Sequence, residues 1–381
     1  FSSIMVTGYS LDTNYNSVCS LCASNFKKYL FGYFVETQRK MTIRLAILFF
    51  CILFNTYVFS ENTNSPTHHL PDGTYSNTNG IPYESSFKKL LKWSWERRSK
   101  ELDTYKFEIT KPNFEEIYKN ENIAITWIGH ETFLYQNKEL NILTDPHFTE
   151  RASPFTFAGP KRYTAPGMSI DDLPDIDVVT ISHSHYDHLD YKSVKLLSNK
   201  FENIIFLVPL GLKEWFEGKG ILNVREFDWW ETTRVKNTEI TFAPVQHWSA
   251  RGLFDRNETL WGAWHFKNYF HSFIHLGDTG YSEDFKEIRA RLGKVDLAAI
   301  PIGAYEPRWI MKVSHMNPEE AVKSFLDLEA NKAIGMNWGT FRLTDEPAAE
   351  PPKKLTEATK KFGVSNEVFF TVKHGQTYLD D

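Results

Sequence analysis

The chain has 381 residues and a mild formal net charge of −5, and it is 41% hydrophobic. That is long enough for one large domain or two ordinary ones with ample core, and too weakly charged for bulk nucleic-acid binding, which needs a basic surface. The three cysteines, Cys19, Cys22 and Cys51, stand early in the chain, which excludes a disulfide framework or a thiol nucleophile from everything that follows.

The first 40 residues show no clear pattern. Met41 then opens a basic start, the apolar run Leu45–Phe54 and a Val58-Phe59-Ser60 end. This is the layout of a secretory signal peptide or a short anchor, and the run falls short of the ~20 residues of a comfortable membrane span. Residues 1–60 are therefore read as an N-terminal extension carrying a signal peptide or anchor at 41–60. Asn257-Glu258-Thr259 is a glycosylation acceptor if the chain is secreted. Residues 61–81, rich in Asn, Thr and Ser, read as a disordered linker. In 85–95, Phe87, Leu90, Leu91 and Trp95 recur near helical spacing beside Lys88, Lys89 and Lys92. Such a helix suits a membrane surface, or a dock on the main domain with its basic face in water.

The main domain, 82–381, alternates short apolar runs with helical patterns. Ile123–Ile128 and Leu140–Leu143 read as strands around a turn near Asn137-Lys138. They end at Gly129-His130 and Thr144-Asp145-Pro146-His147. Asp145 fits either a carboxylate that orients a metal-bound imidazole or a turn cap before Pro146. Asp177–Ile181 is apolar and β-branched and predicts a buried strand. It runs straight into Ser182-His183-Ser184-His185-Tyr186-Asp187-His188-Leu189-Asp190. Four metal-capable side chains within six residues, just where a rigid strand hands over to a loop, are costly to bury without a cation. Neutral imidazole and carboxylate are the ligands that zinc takes at neutral pH. Helices are predicted at Asp190–Leu197, Gly211–Glu217 and Pro318–Leu328, the last capped by Asn317. Strands are predicted at Ile204–Val208, Ile240–Val245, Leu260–Phe266, Phe273–Leu276, Asp296–Pro301 and Ala333–Met336. Strand after strand ends in a His, Asp or Asn, often beside a Gly: Gln246-His247-Trp248, Gly277-Asp278-Thr279, Asn337-Trp338-Gly339. Together these supply ligands for two metals.

The spacing His183-x-His185-x-Asp187-His188, then His247, then Asp278, resembles the metallo-β-lactamase superfamily. Longer words resemble its N-acylphosphatidylethanolamine-hydrolysing phospholipase D family: Gly159-Pro160-Lys161-Arg162, Asp228-Trp229-Trp230-Glu231, Gly277-Asp278-Thr279-Gly280-Tyr281, Pro301-Ile302-Gly303-Ala304-Tyr305-Glu306-Pro307-Arg308-Trp309 and Trp338-Gly339-Thr340-Phe341. The resemblance spans about residues 82–378. It implies an α/β fold, a four-layer αββα sandwich, with two Zn2+ ions at one edge of the sheets. By motif position, His183, His185 and His247 hold one zinc, and Asp187 and His188 the other, with Asp278 bridging. The family's further His ligand falls on Asn337, a poorer zinc ligand, so the second site is expected to be weakened, completed by water or a neighbouring His, or empty. The resemblance also implies Asp187 and His315 as catalytic residues, and Tyr186, His315, Arg251 and Trp248 as substrate contacts. Asp145 and His130 would stand behind the ligands. His275 is expected on the opposite strand face from Asp278.

The chemistry so implied is phospholipase D-type hydrolysis of N-acylphosphatidylethanolamine to N-acylethanolamine and phosphatidic acid at a membrane surface, with water activated by the metals. Phe155, Phe157, Tyr186, Trp248 and Trp309 would face acyl chains or pack in the core. A homodimer is allowed, and nucleic acid is not a partner. The location is the secretory or endomembrane side if 41–60 acts as a signal, and the cytoplasmic face of membranes otherwise. Two other readings stay open at this point: another hydrolase on the same scaffold, or a weakened paralogue that binds lipids or fatty amides without turnover.

Overall fold

The strand-ending polar groups gather on one edge because the connections bring them there. In the computed structural model, which describes residues 66–81, 92, 93, 95–97, 105–120 and 122–379, the strands form two sheets. In chain order, the first holds β1 (Ala124–Gly129), β2 (Thr132–Gln136), β3 (Asn141–Thr144), β4 (Val178–Thr180), β5 (Ile205–Pro209) and β6 (Val224–Phe227). The second holds β7 (Thr232–Val235), β8 (Thr238–Ala243), β9 (Ala263–Lys267), β10 (Ser272–His275), β11 (Leu297–Pro301), β12 (Lys332–Met336) and β13 (Phe369–Phe370). The last strand, β14 (Thr377–Leu379), returns to pair antiparallel with β1. Spatial order is β14-β1-β2-β3-β4-β5-β6 in one sheet and β13-β12-β11-β10-β9-β8-β7 in the other. In the first sheet β3 to β6 run parallel, and in the second β10 to β13 do. The carboxyl ends of parallel strands open on one edge, where loops can converge.

Among the described residues the helices are α1 (Phe114–Lys119), α2 (Tyr191–Lys200), α3 (Lys213–Glu217), α4 (Asp284–Leu292), α5 (Arg308–Met311), α6 (Pro318–Asp327) and α7 (Glu350–Phe362). One apolar core packs the inner sheet faces, through Trp127, Phe133, Tyr135, Phe242, Trp264 and Phe273, and continues to Phe285, Val322, Phe325 and Leu355 on α4, α6 and α7. A second core packs Leu134, Val179 and Phe206 of the first sheet against Val194, Leu197 and Phe216 of α2 and α3. Helix, sheet, sheet, helix: this is the expected αββα sandwich.

Most predicted strands appear within a few residues of their expected places. β2, however, lies between the first expected strand and the turn expected near Asn137-Lys138, where no strand was predicted. It is fully buried, as β1 and β4 are, but its apolar run is only Phe133-Leu134-Tyr135, between the polar Thr132 and Gln136. Asp190, read as the first helical residue, is instead the cap of α2, its carboxylate accepting from the Ser193 amide. The predicted cap at Asn317 forms, and Glu320 completes it as a capping box.

The expected disordered linker is corrected for residues 67–81, which belong to the same unit as the sandwich. His68 and His69 grip the two oxygens of Asp228 at 2.6 and 2.8 Å. Thr78 donates to Asp284, and Asn79 to Gln246. Polar residues gave the segment no core-forming pattern of its own, but they found polar partners far along the chain. The described part of the basic helix, residues 92, 93 and 95–97, is helical and docked. Trp93 Nε1 donates to Asp345, and the Arg97 guanidinium to the carbonyls of Arg342 and Leu343. The expected signal segment and the three cysteines lie outside the described residues. No described helix is long and apolar enough to cross a membrane.

Candidate metal centre

Each site residue hangs from a strand end. His130 and Glu131 make the β1–β2 turn, Asp145 follows β3, the His183–His188 loop follows β4, His247 follows β8, Asp278 follows β10 and Asn337 follows β12. His130, Asp145 and Asn337 all adopt positive φ (56°, 35° and 61°), a conformation non-glycine residues seldom take and which functional sites often impose. Gly303, after β11, is required by close approach, since a Cβ there would lie 2.0 Å from the Asn337 carbonyl oxygen.

Two donor groups meet at Asp278. In the first, His183, His185, His247 and Asp278 converge. His185 Nδ1 stands 2.7 Å from His183 Nε2 and 3.3 Å from His247 Nε2. Asp278 Oδ2 is 3.9 Å from both His183 Nε2 and His247 Nε2. Burial pushes His185 down to about 4 and holds His183 and His247 well below the usual imidazole range. These imidazoles are therefore neutral at pH 7, the form that binds metal. His247 Nδ1 donates to the Ser314 carbonyl at 3.0 Å, which leaves the Nε2 lone pair facing the cluster.

In the second group, His188 Nε2 lies 3.1 Å from Asp278 Oδ2 and 3.3 Å from Asp187 Oδ2. Burial opposes charge on His188, but Asp187 and Asp278 outweigh it and lift the imidazole well above its usual range. Burial likewise opposes charge on Asp187 and Asp278, yet His188 foremost holds both below the ordinary carboxylate range. Concentrated negative charge around an imidazole is a setting in which a cation can replace a proton. Asp145 stands behind, accepting from His188 Nδ1 (2.8 Å), Ser182 N (2.7 Å) and Ser182 Oγ (2.5 Å). His130 Nε2 is 3.0 Å from Asp187 Oδ2.

The buried His315 Nδ1, at the edge of these groups, has no hydrogen-bond partner among the described residues. An orphaned polar atom beside neutral imidazoles and ionised carboxylates is what an ion would satisfy. The donor set fits a hard or borderline divalent metal of the zinc type.

The expected substrate contacts sit alongside. His315 Nδ1 lies 3.7 Å from Asp278 Oδ1, and the Trp248 ring 4.3 Å from that of His185. Tyr186 and Arg251 line a cleft of about 260 Å³ beside the centre, with Phe155, Tyr191 and Lys192. Arg251 is partly committed: one guanidinium nitrogen donates to the carbonyls of Ser184 and Leu189, and its face lies over Tyr186. Trp309 instead lies beneath Lys92. Phe155 and Phe157 are exposed, as are Leu253 and Phe254.

Two residues near the centre escaped the sequence reading. Glu131 is fully buried and lifted well above the carboxylate range by burial and then by Asp278. Its neighbour His130 was the only available signal. His275 does not point towards the ligands; its Nε2 donates to the Glu131 carbonyl at 2.9 Å. Asn77, within the supposed linker, accepts from the His247 backbone amide at 3.0 Å and from Trp261 Nε1 at 3.1 Å.

A β-lactamase superfamily domain model matches residues 140–338. The N-acyl-phosphatidylethanolamine-hydrolyzing phospholipase D 1 of Caenorhabditis elegans is 38% identical over 321 residues, covering 80% of this chain and 90% of that protein. The chain belongs to the N-acylphosphatidylethanolamine-hydrolysing phospholipase D family of the β-lactamase superfamily. The mitochondrial family member of Saccharomyces cerevisiae is 40% identical over 263 residues, 67% of this chain and 56% of that protein. A metallo hydrolase from the archaeon Ignicoccus hospitalis shares the fold with a TM-score of 0.53 and 17% identity, covering 68% of this chain and 99% of that one. Phospholipase D family membership and the His/Asp groups make this protein a metal-dependent hydrolase.

Proposed function

We propose that the protein is a zinc-dependent phospholipase D that hydrolyses N-acylphosphatidylethanolamine at a membrane surface, releasing N-acylethanolamine and leaving phosphatidic acid. The observation that carries this is the sharing of Asp278 by two donor groups, next to a cleft rimmed by exposed apolar side chains. Two zinc ions held there would supply an activated water and neutralise charge on a phosphodiester.

The protein's own groups do the rest. Asp187, 3.0 Å from His130 Nε2, orients the attacking water towards phosphorus. Water oxygen bonds to phosphorus as the bond from phosphorus to the ethanolamine oxygen breaks. His315, beside Asp278, hydrogen-bonds the phosphate or delivers a proton to the departing oxygen. Lys192 and the free edge of Arg251 add positive charge on the cleft wall. Phe155 and Phe157, 56% and 79% exposed, offer apolar surface of the kind that meets acyl chains.

The test is incubation of the metal-loaded protein with N-acylphosphatidylethanolamine in mixed micelles and mass analysis of the products. N-acylethanolamine and phosphatidic acid in equal amounts are expected, and Asp278→Asn abolishes both. Diacylglycerol as product, or lipid binding without turnover, would reject the proposal.

A further inference from the structure

We infer that His130, and not Asn337, is the neutral ligand that completes the second metal position, with Asn337 serving to orient the shared carboxylate. The inference rests on the metal-dependent reading above. Ligand atoms around a tetrahedral zinc, at bonds near 2.0–2.1 Å, stand roughly 3.3 Å from one another. Three gaps in the second group have that character. His130 Nε2 to Asp187 Oδ2 is 3.0 Å, Asp187 Oδ2 to His188 Nε2 is 3.3 Å, and His188 Nε2 to Asp278 Oδ2 is 3.1 Å. His130, Asp187 and His188 also form a ligand group of their own, every donor atom within 4.8 Å of the others.

The His130 ring is aimed at this point by its surroundings. Its backbone is pinned in the left-handed region, φ 56°. Its amide donates to Thr340 Oγ1 at 2.7 Å, and its carbonyl accepts from Trp127 Nε1 at 2.9 Å. The Phe341 ring closes edge-to-face on the imidazole, centroids 5.3 Å apart. The residue is 1% exposed.

Asn337 behaves differently. Its amide nitrogen donates to Asp278 Oδ1. The reverse orientation would set an amide oxygen against an ionised carboxylate, so charge selects the donor. A group donating to Asp278 Oδ1 leaves Oδ2, the oxygen that faces His183, His188 and His247, for the ions. The two residues are direct neighbours, since the Asn337 amide donates to the His130 carbonyl at 3.2 Å. An imidazole from the β1–β2 turn can thus serve the position that the loop after β12 faces with a carboxamide.

The experiment is metal content and zinc affinity of the full chain, by elemental analysis after dialysis and by chelator competition, with far-UV circular dichroism to verify folding. His130→Gln keeps a polar side chain beside Asp187 and removes the ligand imidazole nitrogen. The expected result is two equivalents in the wild type, one in His130→Gln and in His188→Ala, and two in Asn337→Ala. Two equivalents held by His130→Gln with wild-type affinity would overturn the inference, as would loss of one by Asn337→Ala. A single equivalent in the wild type would overturn it too. Turnover of N-acylphosphatidylethanolamine by that one-metal protein would leave the proposed activity standing.

Discussion

Asn77→Ala tests whether the segment before the sandwich shapes the metal centre. The carboxamide oxygen accepts from the His247 amide and from Trp261 Nε1, and its nitrogen donates to the Ile81 carbonyl. Truncation strands these groups unequally. Trp261 Nε1 retains the Val245 carbonyl at 2.9 Å, and Ile81 is exposed, so water replaces Asn77 there. The His247 amide belongs to a residue 1% exposed and keeps no protein acceptor in its place. A stranded buried donor costs about 1–3 kcal/mol and each lost bond about 1 kcal/mol, so the variant should be about 2–3 kcal/mol less stable. Since the orphan lies on the backbone of a first-group ligand, zinc affinity should fall about tenfold, the low end of the range for groups that orient ligands. Urea titration of the metal-free protein measures the first effect, and chelator competition the second. Asn77→Asp, which keeps the acceptor, should recover part of both. A variant within 0.5 kcal/mol of wild type, or one destabilised with unchanged zinc affinity, would refute the coupling.

Two further outcomes follow from single side chains. Asp145→Ala removes the acceptor for His188 Nδ1 and Ser182, and affinity for the second metal should drop about 10–100-fold; chelator competition showing no change would remove Asp145 from the site. His265, far along β9, is held at about 4 by burial against an ordinary value of 6.5. Between those values the unfolded chain takes up a proton that the folded chain refuses. Stability present above pH 6.5 is therefore lost as pH falls towards 4, by about 2 kcal/mol at pH 5. His265→Leu should flatten that part of the stability–pH profile in denaturant titrations, and an unchanged slope would refute the assignment.

The legible part of this protein was local. His183, His185, Asp187 and His188 share one loop behind a short β-branched strand, so their chemistry shows in nine consecutive residues. His247 and Asp278 became readable through repetition, because each closes an apolar run. Asn337 stood out against the words around it. Strand β2 stayed hidden because only three consecutive apolar residues, Phe133-Leu134-Tyr135, mark it between Thr132 and Gln136. Residues 67–81 looked disordered because Ser, Thr and Asn build no core alone. Their order depends on Asp228, Gln246, His247 and Asp284, more than 150 residues further along the chain.

By itself, then, the sequence determined which residue types could hold metal and on which strand ends they stand, since side-chain chemistry and strand patterning are properties of a few neighbouring residues. Only the tertiary structure decided which of them meet. It turned His275 towards Glu131, set Asn337 as a donor to Asp278, and brought His130 within 3.0 Å of Asp187. Those pairings depend on how two seven-stranded sheets align their edges, and that alignment comes from packing between strands remote in the chain.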